Sequence, residues 1–600
     1  MGRIARLMLV LVPLMLLAGV VLVGCGNPPS PPTVAVQPAS AIPDLTATQQ
    51  IEVGGRKLFA GWPKDKPDLV LMITGQTFGY LSPCGCSSPQ TGGLERRFNV
   101  MQSVRAKGWD IIGVDVGDNA PIPQPNKTVP EQALKKYTYV MKSLQAMGYV
   151  AVGVGKTEFQ NDITKLLGQF TLNNEGKRPI VLSSNILGGV ERDKANPTTV
   201  KASTPRAEYF KVPNQRPLVE DVELVTDKAV SVGVVGVMGA STGKEIAALY
   251  PDYDFEPVAV AIPRALNKLN SGTVRPELKV LLLQGDENEA QSIAKDYPEF
   301  QVIVCTSAES EDEAPLLPKY YPVNQPRTQI IRMGHKGKNA GLLGIFKTPT
   351  GLDLRYQLVP LGEEFLTPRK PVDLAKENSV LQLLERYTGE VRDEDYLAGC
   401  TDKVKVMHPV AVMIGKADTK YIGSVACAKC HAAEYKKWSE TKHSHAYEAL
   451  EKYATRPSLR QFDPECVVCH TVGFEYKTGF ESKKKTPELL NNGCENCHGP
   501  GSAHAAKPKD IDLLKALSPW KLNPKDKLPS LAELEKIAAV PEGERGRVQI
   551  DNGVRRLAFA IDRQVCRKCH DGDNDPKFDI FTYMPKVYHS NLKDDGLPGK

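Results

Sequence analysis

Four times in the last third of the chain, two cysteines stand three positions apart and a histidine follows directly. The sets are Cys427-Cys430-His431, Cys466-Cys469-His470, Cys494-Cys497-His498 and Cys566-Cys569-His570. At this cysteine and histidine content the expected number of chance matches is far below one, so four are not coincidence. The spacing suits one kind of cofactor. Two thiols within a helical turn add to the vinyl groups of a haem as thioethers, and the next residue then lies under the iron as its proximal ligand. Zinc also takes C-x-x-C as half of a site, but it does not require histidine in the next position four times over. Four covalently bound haem c groups are expected, on the eight cysteines and four histidines just named.

The remaining histidines fit the same chemistry. Eight of the ten fall in residues 419–600, and four of those lie outside the motifs: His443, His445, His504 and His589. Spare histidines equal expected haems, which makes them candidate distal ligands and lets every iron take two imidazoles. Met584 is the other soft donor nearby, and His408 stands close before the first motif as a reserve. On a helix, His443 and His445 project about 200° apart and would face different haems. About 45 residues per haem are too few for four separate pockets, so the macrocycles must lie against one another and supply much of the core.

The elements that carry these residues begin with an export signal. "MGRIARLMLVLVPLMLLAGVVLVGCG" has two arginines before an apolar run that ends in small residues and a cysteine. The ending Leu22-Val23-Gly24-Cys25 resembles the bacterial lipobox, which implies a signal peptide over 1–24 and a lipidated Cys25. A retained transmembrane helix is the alternative. Either way the rest of the chain lies outside the cytoplasm, in the bacterial periplasm or at the cell surface and anchored to a membrane. A Pro-rich tether extends to residue 66. Six hundred residues exceed one core, and a formal net charge of +6 is too small to mark a nucleic-acid-binding face.

Residues 67–362 alternate strand-like runs ("DLVLMIT", "DIIGVDVGD", "YVAVGVG", "AVSVGVVGVMG", "ELKVLLLQG", "FQVIVCTS") with stretches of helical period. That is an α/β layered domain. Residues 363–418 form a connector whose "ENSVLQLLERYTGEV" reads as an amphipathic helix with Leu381, Leu383, Leu384 and Tyr387 to one side. Cys84 and Cys86, in a turn-rich loop, are candidates for disulfides to Cys305 or Cys400, or for a redox-active pair.

Two resemblances sharpen this reading. "YIGSVACAKCHAAEYKKWSETKHSHAYEAL", "CVVCHTVGF" and "GCENCHGPGSAHA" resemble the tetrahaem cytochrome c family that accepts electrons from hydroxylamine oxidoreductase. The likeness covers about 419–592 of a domain placed at 419–600. It implies a mainly α fold with haems in stacked pairs, three irons with two histidines and one without a strong distal ligand. One of His443 and His445 would then be idle. The front domain resembles the calcineurin-like metallophosphatase domain of 5′-nucleotidases, which binds two metals at its strand ends. Matched position by position, Gln76 and Phe78 stand at that family's Asp and His, Lys156 and Thr157 at its Asn and His, and Ser307 and Glu309 at its last pair. Only Asp118 keeps a ligand's identity, and a cationic lysine would sit where a metal belongs, so phosphatase activity is expected to be absent. A remodelled cation pocket of Asp115, Asp118, Glu158 and Glu309 is the sharper alternative to a docking or spacer role.

The expected protein is a membrane-tethered electron carrier working with other cytochromes or an oxidoreductase, able to stack as a homo-oligomer through exposed haem edges. The alternative is an oxidoreductase acting on a small nitrogen or sulfur species at one open iron.

Overall fold

A computed structural model of the chain describes residues 52–589 apart from internal segments, among them 84–88, 124–129, 307–318, 369–375, 401–404 and 521–527. The signal, Cys25, Cys84, Cys86, Ser307 and Glu309 lie outside the described residues. Among the described residues no helix is long and apolar enough to cross a membrane.

The front of the chain is a pair of six-stranded sheets. In chain order the strands are β1 (Leu69–Thr74), β2 (Ile111–Asp115), β3 (Tyr149–Gly153), β4 (Ile180–Leu182), β5 (Val222–Val225), β6 (Val232–Met238), β7 (Leu278–Gln284), β8 (Val302–Cys305), β9 (Lys319–Val323), β10 (Thr328–Arg332), β11 (Asn339–Thr348) and β12 (Gly351–Pro360). One sheet runs β12-β11-β1-β2-β3-β4 and the other β9-β10-β8-β7-β6-β5. Their centres are parallel, β1-β2-β3-β4 and β6-β7-β8-β10, with antiparallel strands at the edges.

Strand periodicity assigns the faces. Leu69, Leu71 and Ile73 of β1 enter the core between the sheets with Val232, Val234, Val280 and Val302. Val70 and Met72 point the other way, into a core with helices α1 (Leu94–Ala106) and α2 (Pro130–Met147). Helices Val258–Asn270 and Glu287–Asp296 cover the outer face of the second sheet. Each fully buried Leu or Val contributes about 1.5–3 kcal/mol, so both faces of both sheets stabilise the domain.

The connector is helix α3 (Ser379–Asp393), capped by the Asn378 side chain on the Leu381 amide. It buries Val380, Leu381, Leu384, Tyr387 and Val391, with Leu383 half-buried, and lies along α2, where Tyr139 and Tyr387 pack edge-on at 5.6 Å. The same apolar cluster runs on through Tyr447, Leu450, Val467, Phe474 and Phe480, so the connector joins the sheets to the last third without a break in packing. That last third is short helices and turns, with a second small core of Leu534, Val554, Leu557, Ile580 and Met584.

Candidate haem centres

Each C-x-x-C-H set is coiled into a single turn, which brings its cysteines to one side. The motif at Cys466 is helix α4 (Pro464–His470), with Asp463 capping its first turn through the Glu465 amide. The motif at Cys494 is helix Cys494–His498. In the first and last motifs the histidine amides of His431 and His570 return to the carbonyls of Cys427 and Cys566 at 2.9 and 2.8 Å.

The turns are tied to one another. Glu495, between the cysteines of the third motif, is buried. It accepts from the amides of Ile422, Gly423 and Gly501, and Ser424 Oγ accepts from the Cys494 amide. Burial raises the Glu495 carboxyl's affinity for its proton, and those three amides oppose it. The first motif's approach thus lies against the third, with Ser424 Oγ 3.1 Å from the Cys494 amide. Cys469 lies 3.9 Å from the Lys568 carbonyl, second motif against fourth.

The histidines sort into pairs. The rings of His431 and His504 stand 6.1 Å apart, those of His443 and His570 6.0 Å, and those of His498 and His589 5.9 Å. About 6 Å between centroids is the spacing two imidazoles take on either side of a metal bonded at about 2 Å. The other ring nitrogens are engaged: Nδ1 of His470 with the Ala446 carbonyl at 2.5 Å, of His498 with Leu517 at 2.9 Å, of His589 with Val587 at 2.8 Å and of His570 with the Asp575 carboxylate at 2.8 Å. Holding Nδ1 on an acceptor turns Nε2 outward as a ligand, the usual outer support of a metal-bound histidine. Burial, then the neighbouring His570, pulls His443 down to about 4, and burial also lowers His470 and His504. Neutral imidazole is the form that binds iron. Helix Ala432–Ser439 buries none of its residues, as expected where a flat macrocycle rather than side chains is to cover it. The residues present therefore fit haem.

The structure does not bring His445 to a motif histidine. It ends a 3-10 turn, Lys442–His445, in which residues two apart project about 240° from each other. His443 thus points inward, whereas His445 is 66% exposed and meets Glu448 at 3.3 Å. Among the described residues His470 has no second imidazole against its ring. His408 caps helix Pro409–Met413 through its own Nδ1 and packs on Tyr476, and Met584 is buried in the small second core. Sequence reasoning missed Arg460, whose Nε and Nη2 lie 3.3 and 3.2 Å from Cys466 Sγ. No motif marks it.

The strand ends of the front domain use their polar groups differently. Asp118 Oδ1 accepts from the Thr157 amide at 3.0 Å, and Glu158 accepts from the amides of Asn119, Ala120 and Gly155. Asp115 accepts from Thr74, Gly117 and Asn119, with the Arg97 guanidinium 3.8 Å away. Burial and the adjacent Asp118 push Glu158 up to about 8. Lys156 pairs with Glu245, Phe78 lies edge-on to His335 at 5.6 Å, and Gln284 donates to the Val116 carbonyl. Gln76, Phe78 and Asp118 hold left-handed backbone at φ 50, 49 and 58, a strained conformation common at ligand-binding turns. Among the described residues no cluster of three or more His, Cys, Asp or Glu is arranged to hold a metal ion. Cys305 and Cys400 are separate buried thiols, pushed up by burial to about 12 and about 11.

Residues 426–499 match the family model described as "Cytochrome c554 and c-prime". The haem-motif region is similar to cytochrome c554. Cytochrome c-554 of Nitrosomonas europaea is 34% identical over 95 residues, which are 14% of this chain and 40% of that protein. The chain thus spans two fifths of the curated relative it matches. The front domain is similar in fold to a 5′-nucleotidase precursor from Thermus thermophilus (21% identity, TM-score 0.39, 54% of this chain and 59% of that one). It is likewise similar to a calcineurin-like phosphoesterase from Bacillus subtilis (14% identity, TM-score 0.35, 53% and 98%).

Proposed function

We propose that this chain is an exported electron-transfer protein carrying four covalent haem c groups, three held between paired histidines and one on His470 alone. The observation that carries the reading is that three of the four motif histidines each face a second imidazole about 6 Å away. A haem bound at each motif supplies a one-electron carrier. The chain's own residues hold and orient it: His431 with His504, His443 with His570, and His498 with His589. Asp575 and the carbonyls of Ala446, Leu517 and Val587 fix the ring tautomers. The contacts of the first motif's approach with the third motif, and of the second motif with the fourth, support a relay between neighbouring attachment points.

The α/β domain serves to position this relay and dock a redox partner, another cytochrome or an oxidoreductase, and is catalytically inactive. Its strand-end carboxylates are already occupied by backbone amides and Lys156 is paired. Lipidated Cys25 and the Pro-rich segment tether the protein to a membrane in the periplasm or at the cell surface. A second reading, an oxidoreductase acting on a small nitrogen or sulfur species, is favoured by His470 having no imidazole opposite it among the described residues.

The test is the haem count of the full chain, by pyridine haemochrome absorbance against protein concentration and by intact mass. Four covalent haems are expected. Three or fewer in fully matured protein contradicts the proposal.

A further inference from the structure

The α/β domain meets the haem region at the residues leading into one motif. Gln132 Nε2 on α2 donates to Asp463 Oδ1 at 2.9 Å and to Tyr387 Oη at 3.1 Å. Lys136, one turn along α2, pairs with Glu465. Ser82, in the loop after β1, accepts from Arg460 Nη1 at 3.3 Å. On the connector, Glu385 accepts from the Ser458 amide and hydroxyl. All of these contacts land between residues 458 and 465, just ahead of Cys466, in the motif whose His470 lacks a second imidazole among the described residues.

Arg460 is the member with chemical reach. Its Nη1 is held by the α/β domain, while Nε and Nη2 are directed at Cys466 Sγ. That sulfur stands here for the thioether that joins the haem edge to the chain. A thioether is a weak acceptor, so the guanidinium would lie against the haem edge as a fixed positive charge rather than as one half of a strong hydrogen bond. Glu465 is taken by Lys136. Asp463 keeps its charge 3.9 Å from Arg460 while also accepting from Gln132 and the Glu465 amide, so the two form an ion pair whose cationic end is the one directed at Cys466 Sγ. Leu459, the residue before Arg460, takes left-handed backbone at φ 62. That conformation is unfavourable for a non-glycine residue, and here it starts the turn that aims Arg460.

We propose that Arg460, held in place by Ser82 of the α/β domain, is a positioning residue that raises the reduction potential of the haem on Cys466, Cys469 and His470. The α/β domain thereby acts on this haem and not on the other three. The inference rests on the four-haem reading. A cation beside a haem favours the reduced state, because the added electron is attracted to it. Removing Arg460 also leaves Asp463 uncompensated, which shifts the potential the same way.

The test is spectropotentiometric titration of the full-length protein, with its haem count measured alongside so that failure of the four-haem reading shows separately. In Arg460→Gln the one-electron reduction constant of the His470 haem falls about tenfold, about 59 mV, while the other three stay in place. Arg460→Lys, which keeps the charge, restores most of the shift. Ser82→Ala, outside the motif and keeping the charge, gives a smaller shift of the same sign on the same haem, and serves if Arg460→Gln does not mature. An unchanged His470 haem in Arg460→Gln with four haems present, a parallel shift of all four, or no shift in Ser82→Ala overturns the proposal.

Discussion

The strand ends of the α/β domain and the turns of the haem region both bury charged or titratable groups, and they treat them in opposite ways. Asp118 accepts from the Thr157 amide of the next strand-end loop, and Glu158 accepts from Asn119 and Ala120 of the Asp118 loop and from Gly155 of its own. His443 and His570 face one another, with the outer nitrogen of His570 held by Asp575. A carboxylate oxygen that accepts from a buried amide is less available to a cation. A histidine held at Nδ1 with its other nitrogen toward a second imidazole keeps its capacity to bind metal. The α/β strand ends tie their carboxylates into the fold, whereas the histidines of the last third keep a ring nitrogen toward one another.

The largest effect that would sharpen this contrast lies on the haem side. His443→Ala removes the imidazole opposite His570 and is expected to turn one low-spin haem high-spin, a loss of about a third of the low-spin EPR intensity. His504→Ala and His589→Ala should each do the same for a different haem. On the α/β side, Asp118→Ala strips the acceptor from the buried Thr157 amide. It should cost about 1–3 kcal/mol in chemical denaturation and leave every haem signal unchanged. An altered haem spectrum in that variant would break the separation of the two regions.

A third effect depends on pH. Glu158 binds its proton more tightly folded than unfolded, because its pKa is raised to about 8. Between the ordinary carboxylate range and about pH 8 the folded state therefore holds more protons than the unfolded state, and stability falls as pH rises. Glu158→Gln should flatten that fall in thermal melts taken from about pH 5 to 8. An unchanged slope would mean that the three amide bonds to Glu158 outweigh burial. The smallest effect is His445→Ala, which loses only an exposed contact with Glu448. It should change stability by less than about 0.5 kcal/mol and leave the spin states alone.

What could be read from the sequence follows the range of the physics. C-x-x-C-H is complete within five residues, so the four motifs can be seen in the sequence without any knowledge of the fold. So can the strands, since "DLVLMIT" and "ELKVLLLQG" are short apolar runs of strand length, although which face each residue takes showed only in the fold. The pairing of His504 with His431, or of His443 with His570, depends on which turns pack together. That is set by contacts such as Glu495 with Ile422 and Gly423, over seventy positions away, and spacing carries no trace of it. His443 and His445 were read on an α-helix, whereas they stand in a 3-10 turn, with His443 6.0 Å from His570 and His445 against Glu448. Asp115, Asp118 and Glu158 read as a pocket because their identity was visible and their amide partners were not. Arg460 was invisible for the same reason: its meaning comes from Ser82, 378 positions earlier.

The central claim is that three irons sit between histidines and the one on His470 does not. Low-temperature EPR of the oxidised full-length protein, integrated against its haem count, tests it most directly. The account predicts three low-spin haems and one high-spin haem, with His470→Ala altering only the high-spin signal. Four low-spin haems in the unaltered protein, or a high-spin signal that survives unchanged in His470→Ala, would contradict it.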